Sequence, residues 1–104
     1  MAMTPEAKVK KQIRAILDGF GAYYAMPIGS GYGNSGVPDF LVCYKGWFIG
    51  IEAKAGKGKT TALQDLNLEK ITKAGGMTLV INEFNLQGVN SLLNTIQDLE
   101  AFRK

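Results

Sequence analysis

The sequence predicts a layered α/β domain whose elements run in the order αβββαβα. Three observations carry this reading. Residues 40–44 and 47–51 form two short apolar runs separated by Lys45-Gly46, the pattern of a β-hairpin with a tight turn. One face of that hairpin carries Phe40, Val42, Tyr44, Trp47, Ile49 and Ile51, and the other carries Leu41, Cys43, Phe48 and Gly50. Strands that are apolar on both faces lie between layers rather than on a surface. Helix-start signals stand on either side of the hairpin, and 104 residues suffice for one modest core, so residues 1–104 are read as a single domain.

Each element has a local cause. Thr4-Pro5-Glu6 supplies an N-cap, a proline at the first helical position and an acid in the first turn. Ala7, Ile13, Ile16, Leu17 and Phe20 give this helix an apolar stripe, and Gly19 or Gly21 ends it. Lys8, Lys10, Lys11 and Arg14 make it basic, as a solvated face or as a phosphate-facing one. Residues 22–26 read as the first strand, and the glycine-rich stretch 27–36 as a loop leading into the hairpin. After the basic loop 56–59, Thr61-Ala62-Leu63-Gln64 fits a capping box and opens a helix to about residue 74, stopped by Gly75-Gly76. Residues 77–81 are the fourth strand. Leu86, Val89, Leu92, Leu93, Ile96 and Leu99 then recur at helical spacing.

The hairpin also brings chemistry together. With the turn at Lys45-Gly46, paired positions sum to 91, which sets Asp39 opposite Glu52 and turns Lys54 the same way as Glu52. Two carboxylates that close repel each other unless a cation or a proton lies between them. The competing reading makes Asp39 a turn residue after Pro38 and Glu52 an exposed strand-end charge.

Composition narrows the remaining chemistry. A net charge of +3 and a pI near 9.1 lean mildly towards an anionic partner. The single cysteine, Cys43, excludes an intramolecular disulfide and cysteine-based zinc fingers, and its apolar strand suggests a buried thiol. The absence of histidine removes Ser-His and Cys-His catalysis and histidine-built zinc sites. Carboxylates, lysines and a divalent metal are left. No apolar run reaches the roughly 20 residues of a membrane span, so a cytoplasmic location is expected.

Residues 53–60, Ala-Lys-Ala-Gly-Lys-Gly-Lys-Thr, nearly fit a phosphate-binding loop, with Ala53 in place of its first glycine. The rest of an NTPase sheet has no room after Thr61, and Asn82-Glu83 is a poor match to a magnesium-holding aspartate. The loop lysines fit phosphate contacts instead.

Asp39, Glu52-Ala53-Lys54, an acid on the first helix (Glu6) and a glutamine opening the next (Gln64), in that arrangement, resemble the PD-(D/E)XK nuclease superfamily. The wording Gly-Val-Pro-Asp-Phe at 36–40 is similar to that of its VRR-NUC branch, in the small stand-alone form known from viruses. The resemblance runs from Thr4 to about Ile81. It implies a restriction-endonuclease-like αβββαβ core with a four-stranded mixed sheet flanked by helices, here with an extra C-terminal helix. It implies a metal-dependent DNA endonuclease in which Asp39, Glu52 and the Ala53 backbone carbonyl hold Mg2+ or Mn2+. Lys54 would then orient the attacking water or stabilise developing charge. Glu6 would reach the metal directly or through a water, and Gln64 would position water or phosphate. For both, helix-start propensity explains the residue equally well. Lys8, Lys11, Ser30, Tyr32, Lys57 and Lys59 form the DNA-contacting set, with Tyr23, Tyr24 and Tyr32 placed either to stack on bases or to pack.

The same resemblance implies a homodimer that would cut branched DNA such as Holliday junctions, in phage replication, recombination or repair in the host cytoplasm, with no nucleotide cofactor and no membrane. A flap- or end-directed nuclease and a noncatalytic DNA-binding module are the alternatives. Tyr44, Trp47 and the last helix, 86–102, are candidate dimer contacts or parts of the monomer core.

Overall fold

The computed structural model describes residues 3–28 and 36–102. Ser30 and Tyr32, from the expected DNA-contacting set, lie outside the described residues, as does most of the expected loop 27–36. The elements follow the expected order: α1 (Pro5–Phe20), β1 (Tyr23–Ala25), β2 (Phe40–Tyr44), β3 (Trp47–Ala53), α2 (Ala62–Lys73), β4 (Met77–Ile81) and α3 (Gln87–Phe102). The strands form one mixed sheet in the order β1-β2-β3-β4, antiparallel except for the parallel β3/β4 pair. A parallel pair needs a long crossover, and α2 supplies it.

Local chemistry sets the boundaries. Thr4 Oγ1 accepts the Ala7 N–H at 3.1 Å, and Gly21 closes α1 in the left-handed region at φ 74°. The β2–β3 turn has positive φ at both Lys45 (52°) and Gly46 (86°), the type I′ geometry whose twist matches the strands on either side. Phe40 pairs with Ile51 and Tyr44 with Trp47, so the register is the expected sum of 91.

The core lies on one side of the sheet. Phe40, Val42, Tyr44, Ile49, Ile51, Ala53 and Ile81 meet Val9, Ile13 and Leu17 of α1 and Val89, Leu93 and Ile96 of α3. Val9, not Ala7, belongs to the buried row of α1, because Val9, Ile13 and Leu17 stack at successive i, i+4 positions. Tyr44 is buried, and Trp47 is half-buried against the core. The inner row of α3 is likewise used by the monomer, leaving Leu99 and Phe102 outside.

The other side is covered unevenly. α2 buries no residue completely. The expectation that both hairpin faces are enclosed holds only where α2 passes over β3. Cys43 is exposed rather than buried, and its register neighbours Tyr23 and Phe48 are 79% and 43% exposed. No helix among the described residues is long and apolar enough to cross a membrane.

Small residues let α2 approach. A Cβ on Gly50 would lie 2.7 Å from Ile71 Cδ1 and 3.3 Å from Pro38 Cγ. A Cβ on Gly36 would lie 2.5 Å from the Leu63 carbonyl oxygen in the first turn of α2. The segment before Asp39 is therefore pressed against α2 on one side and β3 on the other. Gly36→Ala should lower stability by about 1–3 kcal/mol, because the obstacle is backbone that cannot rotate away. Denaturant unfolding of the variant and wild type, with the slope unchanged, checks this.

Candidate active site

Asp39 precedes β2 and Glu52 lies near the end of β3, one step beyond the last backbone pair of the hairpin. The Asp39 side chain extends that ladder, since its Oδ2 accepts the Ala53 N–H at 2.8 Å. Its Oδ1 faces Lys10 Nζ at 3.3 Å, and Lys10 also pairs with Glu6 at 3.7 Å. Glu52 is 3% exposed, the one charged residue among the buried ones described. Its Oε2 accepts Gln64 Nε2 at 2.9 Å and faces Lys54 Nζ at 3.7 Å. Its Oε1 is buried with no hydrogen-bond partner among the described residues.

Gln64 serves the helix and the site at once. Its Oε1 accepts the Thr61 N–H at 2.9 Å while its own N–H donates to Thr61 Oγ1 at 3.2 Å, completing the capping box. With the amide oxygen held by the cap, the amide nitrogen turns to Glu52. Lys54 follows Glu52 by two residues and its backbone N–H donates to Ile81 on β4 at 2.9 Å, which anchors the segment just past β3.

The electrostatics follow from this arrangement. Burial first, then the negative charge of Asp39, push the Glu52 carboxyl up to about 7, against the opposing pull of Lys54. A buried carboxyl with an orphaned oxygen beside a second carboxylate fits a proton or a cation. The oxygens that Asp39, Glu52 and the Ala53 carbonyl could offer are hard donors, a set that would suit Mg2+ or Mn2+ over softer metals. No cluster of three or more His, Cys, Asp or Glu side chains suited to a metal occurs among the described residues. Glu6 is linked to Asp39 through Lys10, which pairs with both.

Lys10 is the residue that reading the sequence overlooked. It sits inside a basic run that reads as a solvated face, yet Glu6 and Lys10 are an i, i+4 pair, and that spacing was the available signal. Lys8 and Lys11 remain exposed on α1, and Lys57 and Lys59 are exposed in the loop after β3. Tyr24 packs against Phe40 and donates its hydroxyl to Asp18 at 2.8 Å, so its ring is engaged. The loop 54–61 is not arranged as a phosphate cradle. Its Gly56 N–H donates to Glu83 Oε1 at 2.8 Å, Thr60 Oγ1 donates to Asp65, and the Ala53 N–H is held by Asp39.

The raised Glu52 group has a measurable consequence. The folded protein holds this proton more tightly than the unfolded chain, so the group's contribution is fully present below about 4.5. That contribution is lost as pH rises through about 7. Denaturant unfolding in chelator at pH 5 and pH 8 should show wild type losing up to about 3 kcal/mol more than Glu52→Gln over that interval. Equal losses in the two proteins would place the ordinary carboxyl range at Glu52.

Comparison with known proteins bears on the fold. No family model and no curated protein matches the chain. A solved structure titled "VRR_NUC domain" superposes with a TM-score of 0.69 at 23% identity, covering 88% of this chain and 97% of that one. The chain has the fold of that VRR_NUC domain, a restriction-endonuclease-like α/β core followed by a C-terminal helix.

Proposed function

We propose that this protein is a Mg2+- or Mn2+-dependent DNA endonuclease that hydrolyses phosphodiester bonds. The observation that carries the reading is the buried, orphaned Glu52 oxygen beside Asp39, with Lys54 at 3.7 Å, on a sheet shared with a VRR_NUC domain. Asp39, Glu52 and the Ala53 carbonyl would hold the ion. When bound, such an ion polarises a phosphate and lowers the pKa of a water.

The chain's own residues do the rest. Gln64 and Lys54 engage Glu52 Oε2, while Oε1 has no hydrogen-bond partner among the described residues. Lys54, its side chain 14% exposed and 3.7 Å from Glu52, would orient the attacking water and meet the charge that grows on the phosphate. The water's oxygen forms the new bond to phosphorus as the ester bond breaks. Glu6 acts at one remove, through Lys10 or a water. Lys8, Lys11, Lys57 and Lys59 contact phosphates without reading bases. The preferred substrate is branched DNA such as a Holliday junction, cut by a homodimer in phage recombination or repair. Two copies related by a two-fold axis present two sites at a set separation, which one small domain does not.

Lys54→Ala should lower cleavage by about 100- to 1,000-fold while DNA affinity changes little. Replacing Lys57 and Lys59 together should weaken binding and reduce its salt slope by about two. Cleavage and filter binding on four-way junction, flap and linear duplex separate the two effects and rank the substrates. Calorimetric titration of Mn2+ should give binding to wild type and none to Asp39→Ala. Light scattering at micromolar concentration should give twice the 11.3 kDa chain mass.

A further inference from the structure

The four oxygens of the carboxylate pair are unequally engaged. Asp39 Oδ2 accepts the Ala53 N–H, and Glu52 Oε2 is taken by Gln64 and Lys54. Glu52 Oε1 has no hydrogen-bond partner among the described residues. The remaining oxygen, Asp39 Oδ1, is covered by the Lys10 ammonium at 3.3 Å. A cation held by Asp39 and Glu52 would compete with the Lys10 ammonium for Asp39.

We propose that Lys10 is a built-in counter-cation of this site, which a divalent metal must displace from Asp39, and that DNA assists the exchange by giving the displaced ammonium a phosphate. The inference rests on the metal-dependent nuclease reading and adds a positioning residue to it. Two features of Lys10 suit the role. Its side chain is 33% exposed, so it can leave Asp39 without losing its hydration, whereas Lys54 is 14% exposed and faces the buried Glu52. It is also shared with Glu6, 45% exposed at 3.7 Å, which gives the ammonium a second acidic neighbour on the outer side. An ammonium in contact with a ligand carboxylate lowers the site's affinity for a second cation, by direct competition and by charge. A phosphodiester nearby reverses that penalty, because the ammonium then has an anion of its own. Metal and DNA would therefore bind cooperatively, each raising the other's affinity by the same factor.

The test is Mn2+ titration of wild type, Lys10→Met, Lys10→Gln and Lys10→Arg, alone and with a phosphorothioate four-way junction that resists cleavage. Without DNA, Lys10→Met and Lys10→Gln should bind Mn2+ about tenfold tighter than wild type, the size expected for removing one partly exposed charge at this distance. Lys10→Arg, which keeps the charge, should stay within about twofold of wild type. DNA should tighten Mn2+ binding to wild type and to Lys10→Arg much more than to the two neutral variants. Two neutral variants guard against one that fails to fold. If wild type binds Mn2+ and the neutral variants bind it no more tightly, or if DNA helps all four equally, the role of Lys10 is overturned while the metal reading stands. If none binds Mn2+ with or without DNA, the metal reading falls and takes this inference with it.

Discussion

The hydrogen bond from the Ala53 N–H to Asp39 Oδ2, at 2.8 Å, is the contact on which the site depends. Backbone pairing between β2 and β3 ends at Phe40 and Ile51. Beyond that point a side chain takes over the role of a strand and keeps the two chain segments together. The bond sets where Asp39 lies relative to Glu52, and it leaves a single Asp39 oxygen facing outward. On the far side, the Lys54 N–H bonds the Ile81 carbonyl and ties the same stretch to β4. The acidic pair is thus held by the sheet's own ladder, on its most central strands.

Around that frame, residues with ordinary structural duties also serve the site. Gln64 completes a helix cap, and the cap determines which end of its amide meets Glu52. Gly36 and Pro38 look like loop residues, yet they fit the narrow space between α2 and β3 that places Asp39. Glu52 carries the cost of this closeness, since it is enclosed beside a second acid with one oxygen unanswered. Such an oxygen is expensive to keep in an apolar setting unless a proton or cation relieves it. The strain on the folded state and the capacity to bind are two aspects of one arrangement.

Much of this was legible in the sequence because it is local. The Lys45-Gly46 turn determines the register, the register sets Asp39 against Glu52, and the Thr61–Gln64 spacing announces the cap. The tertiary relations were less visible. Lys10 reads as one lysine in a basic run, and only the approach of α1 to the end of β2 reveals its partner. Cys43 sits in an apolar strand, which suggests burial, but its face of the sheet is exposed there among the described residues. Val9 takes the place expected of Ala7 in the core row because it stands one helical turn before Ile13, whereas Ala7, six residues before it, falls off that face. The direction of Gln64 towards Glu52, rather than towards solvent, also depends on how α2 lies over β3.

That last relation has a consequence for motion. α1 and α3 each bury a row of residues, while α2 buries none, although it comes close to Gly36 ahead of β2 and to Gly50 on β3. Protein segments with few buried contacts open locally at free energies below that of global unfolding. Amide protons of α2 would then exchange with solvent sooner than those of β2 and β3. Each opening would carry Gln64 away from Glu52 while the sheet stayed intact. The arrangement of the carboxylates would survive such excursions and the restraint on Glu52 would not. The working temperature range of the site would accordingly end below the melting point of the fold.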